Sequence, residues 1–405
     1  MTKYIDNPYY NYYTLKDNTF STKLFTILVS RKLDNEYPIE WHLPNFDLEL
    51  SRLNLLEEPV ESLSSLYLKR ALELRESYDY LILLYSGGHD SHNILETFMF
   101  NNIFIDEIII LNQFDKTFRQ VLESKDFEFL HQNAYEAELC AIPLAKYFID
   151  TYSPKTKLTI VENSFGIHAN YWKNLSEKEM TENLSMPGTL GITGKPLARI
   201  KDLNQYNPLL KKIKETKKVA HIWGRDKTVL QHDDIGYFFV FVDGTIVDYI
   251  NAYNNLTKDD LPQEIEYFYT HPTMAKAIVK QAHRLANSLP FYTFSYKLVT
   301  RNYENIAAKI IYDRKIEAPY LGLKAGDFKD WTKYLNKKRD MGGDLSLFNM
   351  TELVLFKTLD EQISYNFNKQ TSIIAKLLKS PDNFVEKCLS ANYSTKKYYI
   401  KYFEK

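Results

Sequence analysis

Residues 78–91 constrain the possible folds of this 405-residue chain more than any other stretch. Residues 81–85 form a short, continuous apolar run, which predicts a strand covered on both faces of a sheet. The glycine pair at 87–88 follows at once, and glycine reaches positive φ and lets the backbone approach a ligand closely. Asp90 and Ser91 are typical of a helix N-terminus, and apolar residues then recur with helical spacing. Such a strand–turn–helix unit gathers backbone N–H groups at the positive end of a helix, which suits a phosphate or pyrophosphate.

The turn also carries a resemblance to known enzymes. The run Ser86-Gly87-Gly88-His89-Asp90-Ser91 resembles the SGGxDS signature of the PP-loop ATP pyrophosphatases, a superfamily that includes asparagine synthetase, GMP synthetase and argininosuccinate synthetase. Those enzymes cleave ATP between its α and β phosphates, adenylate a carbonyl or carboxylate oxygen, and let a nucleophile displace AMP. The resemblance implies the same chemistry for this chain. The alternative is an ordinary Gly-Gly turn capped by Asp and Ser.

The resemblance also assigns roles to the residues of the turn. It implies that Ser86, Gly87, Gly88, Asp90 and Ser91 bind ATP, because the loop N–H groups and the two hydroxyls can hold departing pyrophosphate. It further implies that Asp90 is catalytic and binds Mg²⁺ directly or through water. A role for Asp90 in helix capping alone is the alternative.

The pattern along the chain predicts an α/β fold with three parts. Apolar strands alternate with helical patterns over residues 77–250, which predicts βαβ units, a parallel sheet and, by the resemblance, an ATP-binding domain. The resemblance implies a five-stranded-type parallel sheet with helices on both faces, of the PP-loop or HUP-like type. Residues 1–76 are expected to form an α+β extension. Residues 251–405 are expected to form a mostly helical C-terminal domain, with helices at 264–268 and 274–287 among others.

Two further candidate ATP-binding residues, Asn112 and Gly224, come directly after predicted strands, and ligands bind at the carboxyl ends of strands in such sheets. The run Gly224-Arg225-Asp226-Lys227 is also similar to the Gly-x-Gly-x-Asp-Glu stretch of asparagine-synthetase-like enzymes, although a lysine stands where that family has Glu. The similarity implies that Asp226 is a second Mg²⁺ ligand. Lys227 is a candidate catalytic residue on a phosphate, because a lysine ammonium neutralises transition-state charge. The alternative is a surface turn with an ion pair.

A predicted helix in the C-terminal part carries several cationic side chains on one face. Lys276 and Lys280 share that face with His283 or Arg284, because they are spaced by three or four residues. This face is either charged and solvated or an anion-binding stripe near the ATP site.

Composition excludes several classes of protein. The chain has 51 basic and 52 acidic residues, so no global charge directs it to nucleic acid or membrane. Its two cysteines allow neither a disulfide framework nor a zinc site to be inferred. Sulfur-transfer enzymes of the superfamily that the chain resembles typically use paired cysteines or an iron–sulfur cluster, so the resemblance implies a nitrogen nucleophile here. No apolar run approaches the ~20 residues that span a bilayer, so we expect a soluble cytoplasmic protein without membrane contact. The abundance of Tyr, Phe, Lys, Asn and Ile is typical of AT-rich coding, as in a bacteriophage or a low-GC bacterium.

These features together predict an AMP-forming ligase that uses ATP and Mg²⁺ and forms a C–N bond with ammonia or an amine. Asparagine synthetases carry an N-terminal glutaminase with a cysteine after Met, whereas this chain has Thr2 and a short leading segment, so a separate ammonia donor is expected. The acceptor is predicted to be a small carboxylate, a nucleotide, or a base in tRNA or DNA. The alternatives are a non-catalytic sensor of ATP or AMP and a sulfur-transfer enzyme of the same superfamily.

Overall fold

A computed structural model describes residues 11–20, 26–27, 29–30, 33, 37–111, 141–161, 208–224, 230–242, 265–288, 310–312 and 393–403. These ranges contain three sheets and six α-helices. The strands are β1 Tyr12–Leu15, β2 Asn18–Phe20, β3 Ile39–His42, β4 Tyr80–Leu84, β5 Glu107–Leu111, β6 Lys157–Val161, β7 Val219–Trp223, β8 Leu230–His232, β9 Gly236–Phe239, β10 Ile265–Tyr267 and β11 Tyr398–Tyr402. The helices are α1 Pro44–Ser51, α2 Leu63–Ser77, α3 His89–Phe100, α4 Ile142–Tyr152, α5 Pro208–Thr216 and α6 Ala275–Ser288, with a 3₁₀ turn at Pro272–Met274 before α6.

The central sheet has five parallel strands in the order β6-β5-β4-β7-β10. With its helices it forms an α/β fold, which confirms the predicted parallel sheet. When the five strands are numbered by their order along the chain, their spatial order across the sheet is 3-2-1-4-5. The direction in which successive strands are added to the sheet therefore reverses between β4 and β7. At such a reversal the connections leave in opposite directions and open a crevice at the carboxyl ends of the two strands.

Strand β4 lies at the centre of this sheet, as its apolar run predicts. Leu81, Ile82 and Leu83 have no exposed surface, and successive side chains point to opposite faces. The sheet is therefore covered on both faces at its centre. Helix α2 contacts α3, α3 contacts α4, and α6 contacts α2.

The two other sheets are antiparallel and have three strands each, in the orders β2-β1-β3 and β11-β9-β8. In the second of them the C-terminal strand β11 pairs with β9, so residues about 160 positions apart lie side by side. Every helix in the described ranges is too short or too polar to cross a membrane.

The C-terminal part differs from its prediction at residues 264–268. Helix α6 confirms the predicted helix at 274–287, but Ile265–Tyr267 is β10, the fifth strand of the central sheet, and the predicted helix there is wrong. The central sheet thus continues past residue 250. The strand has only three residues and a buried carboxylate in the middle, so neither strand length nor alternation identifies it.

That carboxylate, Glu266, joins β10 to α2. Arg70 of α2 is 2% exposed, and its Nη2 lies 2.5 Å from Glu266 Oε2. The Tyr78 hydroxyl donates to the other carboxylate oxygen at 2.5 Å, and Arg70 Nη2 also donates to the Tyr267 carbonyl oxygen at 3.3 Å. Arg70 Nη1 also lies 3.1 Å from Glu73 Oε1, so several partners compensate the burial of the guanidinium and of the Glu266 carboxylate.

We expect Glu266→Ala to lower the free energy of unfolding by about 3 kcal/mol, because it removes the buried carboxylate that pairs with the Arg70 guanidinium and leaves the pair with Glu73, at 3.1 Å, whose side chain is partly exposed. Lys276→Ala is the matched control, since it breaks a largely exposed pair with Glu61 and its effect should be several-fold smaller. Urea denaturation of the three proteins measures both losses. Equal losses in the two variants would contradict the assignment of Glu266 as a structural anchor.

His221 of β7 is fully buried, and neither ring nitrogen has a hydrogen-bond partner in the part of the chain that the structure describes. Burial, assisted by Lys214, lowers the pKa of His221 from 6.5 to about 3. Between these two values the unfolded chain binds a proton at this ring that the folded chain does not bind. Folding is therefore destabilised as the pH falls through this range.

We expect His221→Leu to leave the stability at pH 7 unchanged or slightly raised, because it removes an unsatisfied buried polar ring. The variant should also lose less stability than the wild type between pH 6.5 and pH 4. Urea denaturation at a series of pH values measures the difference between the two slopes. Parallel pH profiles would show that His221 is protonated in the folded chain.

Candidate functional site

The Ser86–Ser91 loop lies at the carboxyl end of β4 and leads directly into α3. Helix α3 begins at His89 with Gly88 as its N-cap, so Asp90 and Ser91 lie in the first turn and not at the cap position. Ser62 caps the neighbouring helix α2 by accepting from the Ser65 N–H at 3.1 Å, whereas no side chain caps α3. Because Gly88 has no side chain to offer, the N-terminal end of α3 retains its capacity to bind an anion.

Only one glycine of the loop uses its conformational freedom. Gly87 has φ of +80°, a value that other residues rarely adopt, whereas Gly88 is extended with φ of −71°. A Cβ atom on Gly87 would lie 2.9 Å from the backbone nitrogen of Ala141, directly before α4. A Cβ atom on Gly88 would meet only the Ser86 hydroxyl, at 3.3 Å. The turn therefore depends on Gly87 for its shape.

The two serine hydroxyls of the loop face each other. Ser86 Oγ and Ser91 Oγ are 3.1 Å apart, and Ser91 Oγ accepts from the Ser86 N–H at 3.3 Å. The Gly88 N–H donates to Ser86 Oγ at 3.3 Å, and Ser91 Oγ donates to the Gly88 carbonyl oxygen at 3.2 Å. These N–H and O–H groups converge within six residues, and a phosphate takes donors of this kind.

Gly224, predicted as a ligand residue after β7, lies against this loop. A Cβ atom on Gly224 would be 2.8 Å from the Ser91 nitrogen and 2.9 Å from its Cα. The end of β7 and the first turn of α3 thus lie so close together that a side chain at position 224 would collide with the backbone of Ser91. The structure brings Gly224 and the Ser86–Ser91 loop together, as the sequence predicts. Asn112, Asp226 and Lys227 lie outside the described residues.

Asp90 is held by two tyrosines that the sequence analysis did not identify. The Tyr312 hydroxyl donates to Asp90 Oδ1, and the Tyr269 hydroxyl donates to the Asp90 carbonyl oxygen at 2.8 Å. Asn93 Nδ2, one turn further along α3, donates to the Tyr269 hydroxyl at 2.9 Å. Burial is the main cause that raises the pKa of both tyrosines well above 10, so both hydroxyls remain protonated donors.

A second buried network lies under the loop. The Tyr85 hydroxyl and His92 Nδ1 are 2.8 Å apart, and His92 Nε2 lies 3.0 Å from Glu96 Oε1. All three residues are less than 8% exposed. Because these contacts use both ring nitrogens, His92 links the end of β4 to α3 and has a structural role.

The described residues fit a metal ion that arrives with a nucleotide. Within the described ranges no three His, Cys, Asp or Glu residues cluster in a way that could hold a metal ion. Asp90 is the half-buried carboxylate of the Ser86–Ser91 loop. Mg²⁺ is commonly held by one or two carboxylates together with substrate phosphates, and a single carboxylate beside a phosphate-binding loop matches that arrangement.

The proposed cationic stripe on α6 is not an anion-binding site. Lys280 is 6% exposed, its Nζ lies 3.0 Å from Glu58 Oε1, and it donates to the Pro59 carbonyl oxygen at 2.6 Å. Lys276 pairs with Glu61 at 2.5 Å. These lysines fasten α6 to the segment before α2, so the anion-binding interpretation of this face is wrong. The solvated interpretation holds for Lys276, whose side chain is 48% exposed, but not for the buried Lys280. Helical spacing locates a charged face but does not show what packs against it.

Comparison of the chain with protein-family models, with curated protein sequences and with solved structures finds no significant match.

We expect Gly87→Ala to destabilise the protein by at least about 1–2 kcal/mol, because alanine is strained at φ of +80° and its Cβ meets the backbone of Ala141. Gly88→Ala should change the stability by less than about 1 kcal/mol, since its φ suits any residue. Thermal and urea denaturation of the two variants provide the comparison. The assigned geometry of the loop fails if Gly88→Ala is the more damaging change.

Proposed function

We propose that this chain is an AMP-forming enzyme of the PP-loop type, which adenylates a carboxylate or carbonyl oxygen with ATP and releases pyrophosphate. An amine or ammonia then displaces AMP and forms a C–N bond. The observation that carries the proposal is the position of the Ser86–Ser91 loop. It lies at the carboxyl end of β4, at the point where the strand order reverses, and Gly224 of the neighbouring strand end packs against it.

The strand order supports the finer assignment of the fold. Counted along the chain, the order 3-2-1-4-5 agrees with that of doubly wound sheets that bind nucleotides at the reversal point. We therefore propose the PP-loop or HUP-like type for the central sheet.

The residues of the loop have separate tasks in this proposal. The hydroxyls of Ser86 and Ser91 and the N–H groups at the start of α3 would donate to the oxygens of the departing pyrophosphate. To do so they exchange the hydrogen bonds that they make with one another. Asp90 would hold Mg²⁺, which when bound neutralises charge on the phosphates.

Two parts of the proposal rest on the sequence. Cys140 and Cys388 lie outside the described residues, so the preference for nitrogen over sulfur depends on the scarcity of cysteine. The acceptor is a small carboxylate, a nucleotide, or a base in tRNA or DNA.

A non-catalytic sensor of ATP or AMP is the second candidate, and one contact favours it. The hydroxyl of Tyr312 reaches Asp90 across 222 residues of sequence, which would connect nucleotide binding to the C-terminal part. A sensor would bind the nucleotide without cleaving it, whereas the enzyme would form AMP and pyrophosphate.

We expect phosphorus NMR of the protein with Mg²⁺–ATP to show AMP and pyrophosphate once the acceptor is added as a small-molecule extract, bulk tRNA or DNA from the source organism. Asp90→Asn should lower that rate by about 100-fold or more while the protein stays folded. Asp47→Asn is the matched control, because Asp47 also accepts from a buried tyrosine, Tyr398, in another part of the fold.

Each contrary result has a distinct meaning. Nucleotide binding without cleavage under every addition would favour the sensor. Formation of ADP and phosphate would refute the PP-loop chemistry. Unchanged AMP formation by Asp90→Asn would refute the role of Asp90 alone.

A further inference from the structure

Two buried tyrosine hydroxyls converge on Asp90 from distant parts of the chain. We propose that Tyr312 is a positioning residue that fixes the Asp90 carboxylate for its metal ion, so that the C-terminal part completes the site. This inference rests on the proposed function, because it assigns a task to a residue outside the loop.

Packing and hydrogen bonds hold Tyr312 in place. Its side chain is 1% exposed, and its ring packs against the rings of Tyr269 at 5.5 Å and Tyr67 at 6.2 Å between centroids. The Tyr67 hydroxyl donates to the carbonyl oxygen of Ile311, directly before Tyr312, at 2.8 Å. Gln281 of α6 in turn donates to the Tyr67 hydroxyl at 2.9 Å. The main chain and the ring of Tyr312 are therefore both held by contacts other than the hydrogen bond to Asp90.

The hydrogen bond from Tyr312 is compatible with binding of a cation by the same carboxylate. An ionised carboxylate has about four lone-pair sites, and one donor at Oδ1 takes only one of them. The terminal torsion of aspartate is broad, so a carboxylate without an anchor samples many orientations. A donor on one oxygen restricts that rotation and directs the remaining lone pairs.

Tyr269 restrains a different part of the same residue. Its hydroxyl donates to the Asp90 carbonyl oxygen and accepts from Asn93, which fixes the main chain of the first turn of α3. One tyrosine thus fixes the backbone of Asp90 and the other fixes its side chain. Outer hydrogen bonds of this kind commonly change metal affinity or activity about 10-fold to 100-fold when they are removed.

The test is Tyr312→Phe, which keeps the buried ring and removes the hydroxyl. We expect the dissociation constant for Mn²⁺, measured by electron paramagnetic resonance with an ATP analogue bridged by methylene between the α and β phosphates, to rise about 10-fold. Binding of the same analogue without metal should change less than about twofold, because the serine hydroxyls and loop N–H groups remain. This readout does not depend on turnover.

Tyr398→Phe is the matched control. Tyr398 is also buried and donates to an aspartate carboxylate, Asp47 Oδ1, at 2.8 Å, but it lies on β11. The Tyr398→Phe variant also loses a buried tyrosine–aspartate hydrogen bond, but in another part of the fold, so its Mn²⁺ affinity should equal that of the wild type.

Combining variants separates positioning from a general structural effect. If Tyr312 acts through Asp90, adding Tyr312→Phe to Asp90→Asn will cause no further loss of Mn²⁺ affinity. A further loss in the double variant would overturn the inference, because the tyrosine would then act on the site by another route.

The remaining outcomes are also decisive. Unchanged Mn²⁺ affinity in Tyr312→Phe overturns the inference, and tighter binding overturns it in favour of a hydroxyl that competes with the cation. A wild-type protein that binds no Mn²⁺–nucleotide complex overturns the proposed function and this inference together. If the wild type binds the Mn²⁺–nucleotide complex and Tyr312→Phe binds it equally well, only the inference about Tyr312 is overturned.

Discussion

The close approach of two backbones, at Gly224 and Ser91, is the constraint on which the candidate site depends. Strands β4 and β7 are neighbours in the sheet, and the chain leaves them in opposite directions. A Cβ atom on Gly224 would collide with Ser91, so only a residue without a side chain fits between the end of β7 and the start of α3. This contact fixes α3 relative to the sheet. The shape of the Ser86–Ser91 loop follows from it and from the left-handed backbone at Gly87.

The sequence predicts the parts of this site that are local. The apolar run at 81–85, the glycine pair and the polar start of a helix lie within fourteen consecutive residues, and each has one dominant physical explanation. Gly224 was also predictable, since it follows a strand directly and strand ends of a parallel sheet share one edge. The cap of α3 was not, because Asp and Ser favour both the cap and the first turn of a helix.

The parts that sequence reasoning missed are contacts between distant residues. Tyr312 and Tyr269 are two of 31 tyrosines, and no spacing distinguishes them from those of the core. Glu266 and Lys280 are charged residues that are buried with partners more than 190 positions away. Since charged residues are rarely buried unless paired, sequence patterns assign them to the surface. The burial of such residues can be recognised only once the tertiary structure shows their partners.

The contact between Tyr312 and Asp90 has a consequence for the order of folding during synthesis. The loop and its helix leave the ribosome more than 200 residues before the tyrosine that holds Asp90. The β11-β9-β8 sheet likewise awaits the synthesis of β11, about 160 residues after β9. At about 5–20 residues per second, a nascent chain spends on the order of ten seconds or more with the loop synthesised but incompletely anchored. Under the proposed function, the Asp90 carboxylate would gain this anchor only after residue 312 has been synthesised.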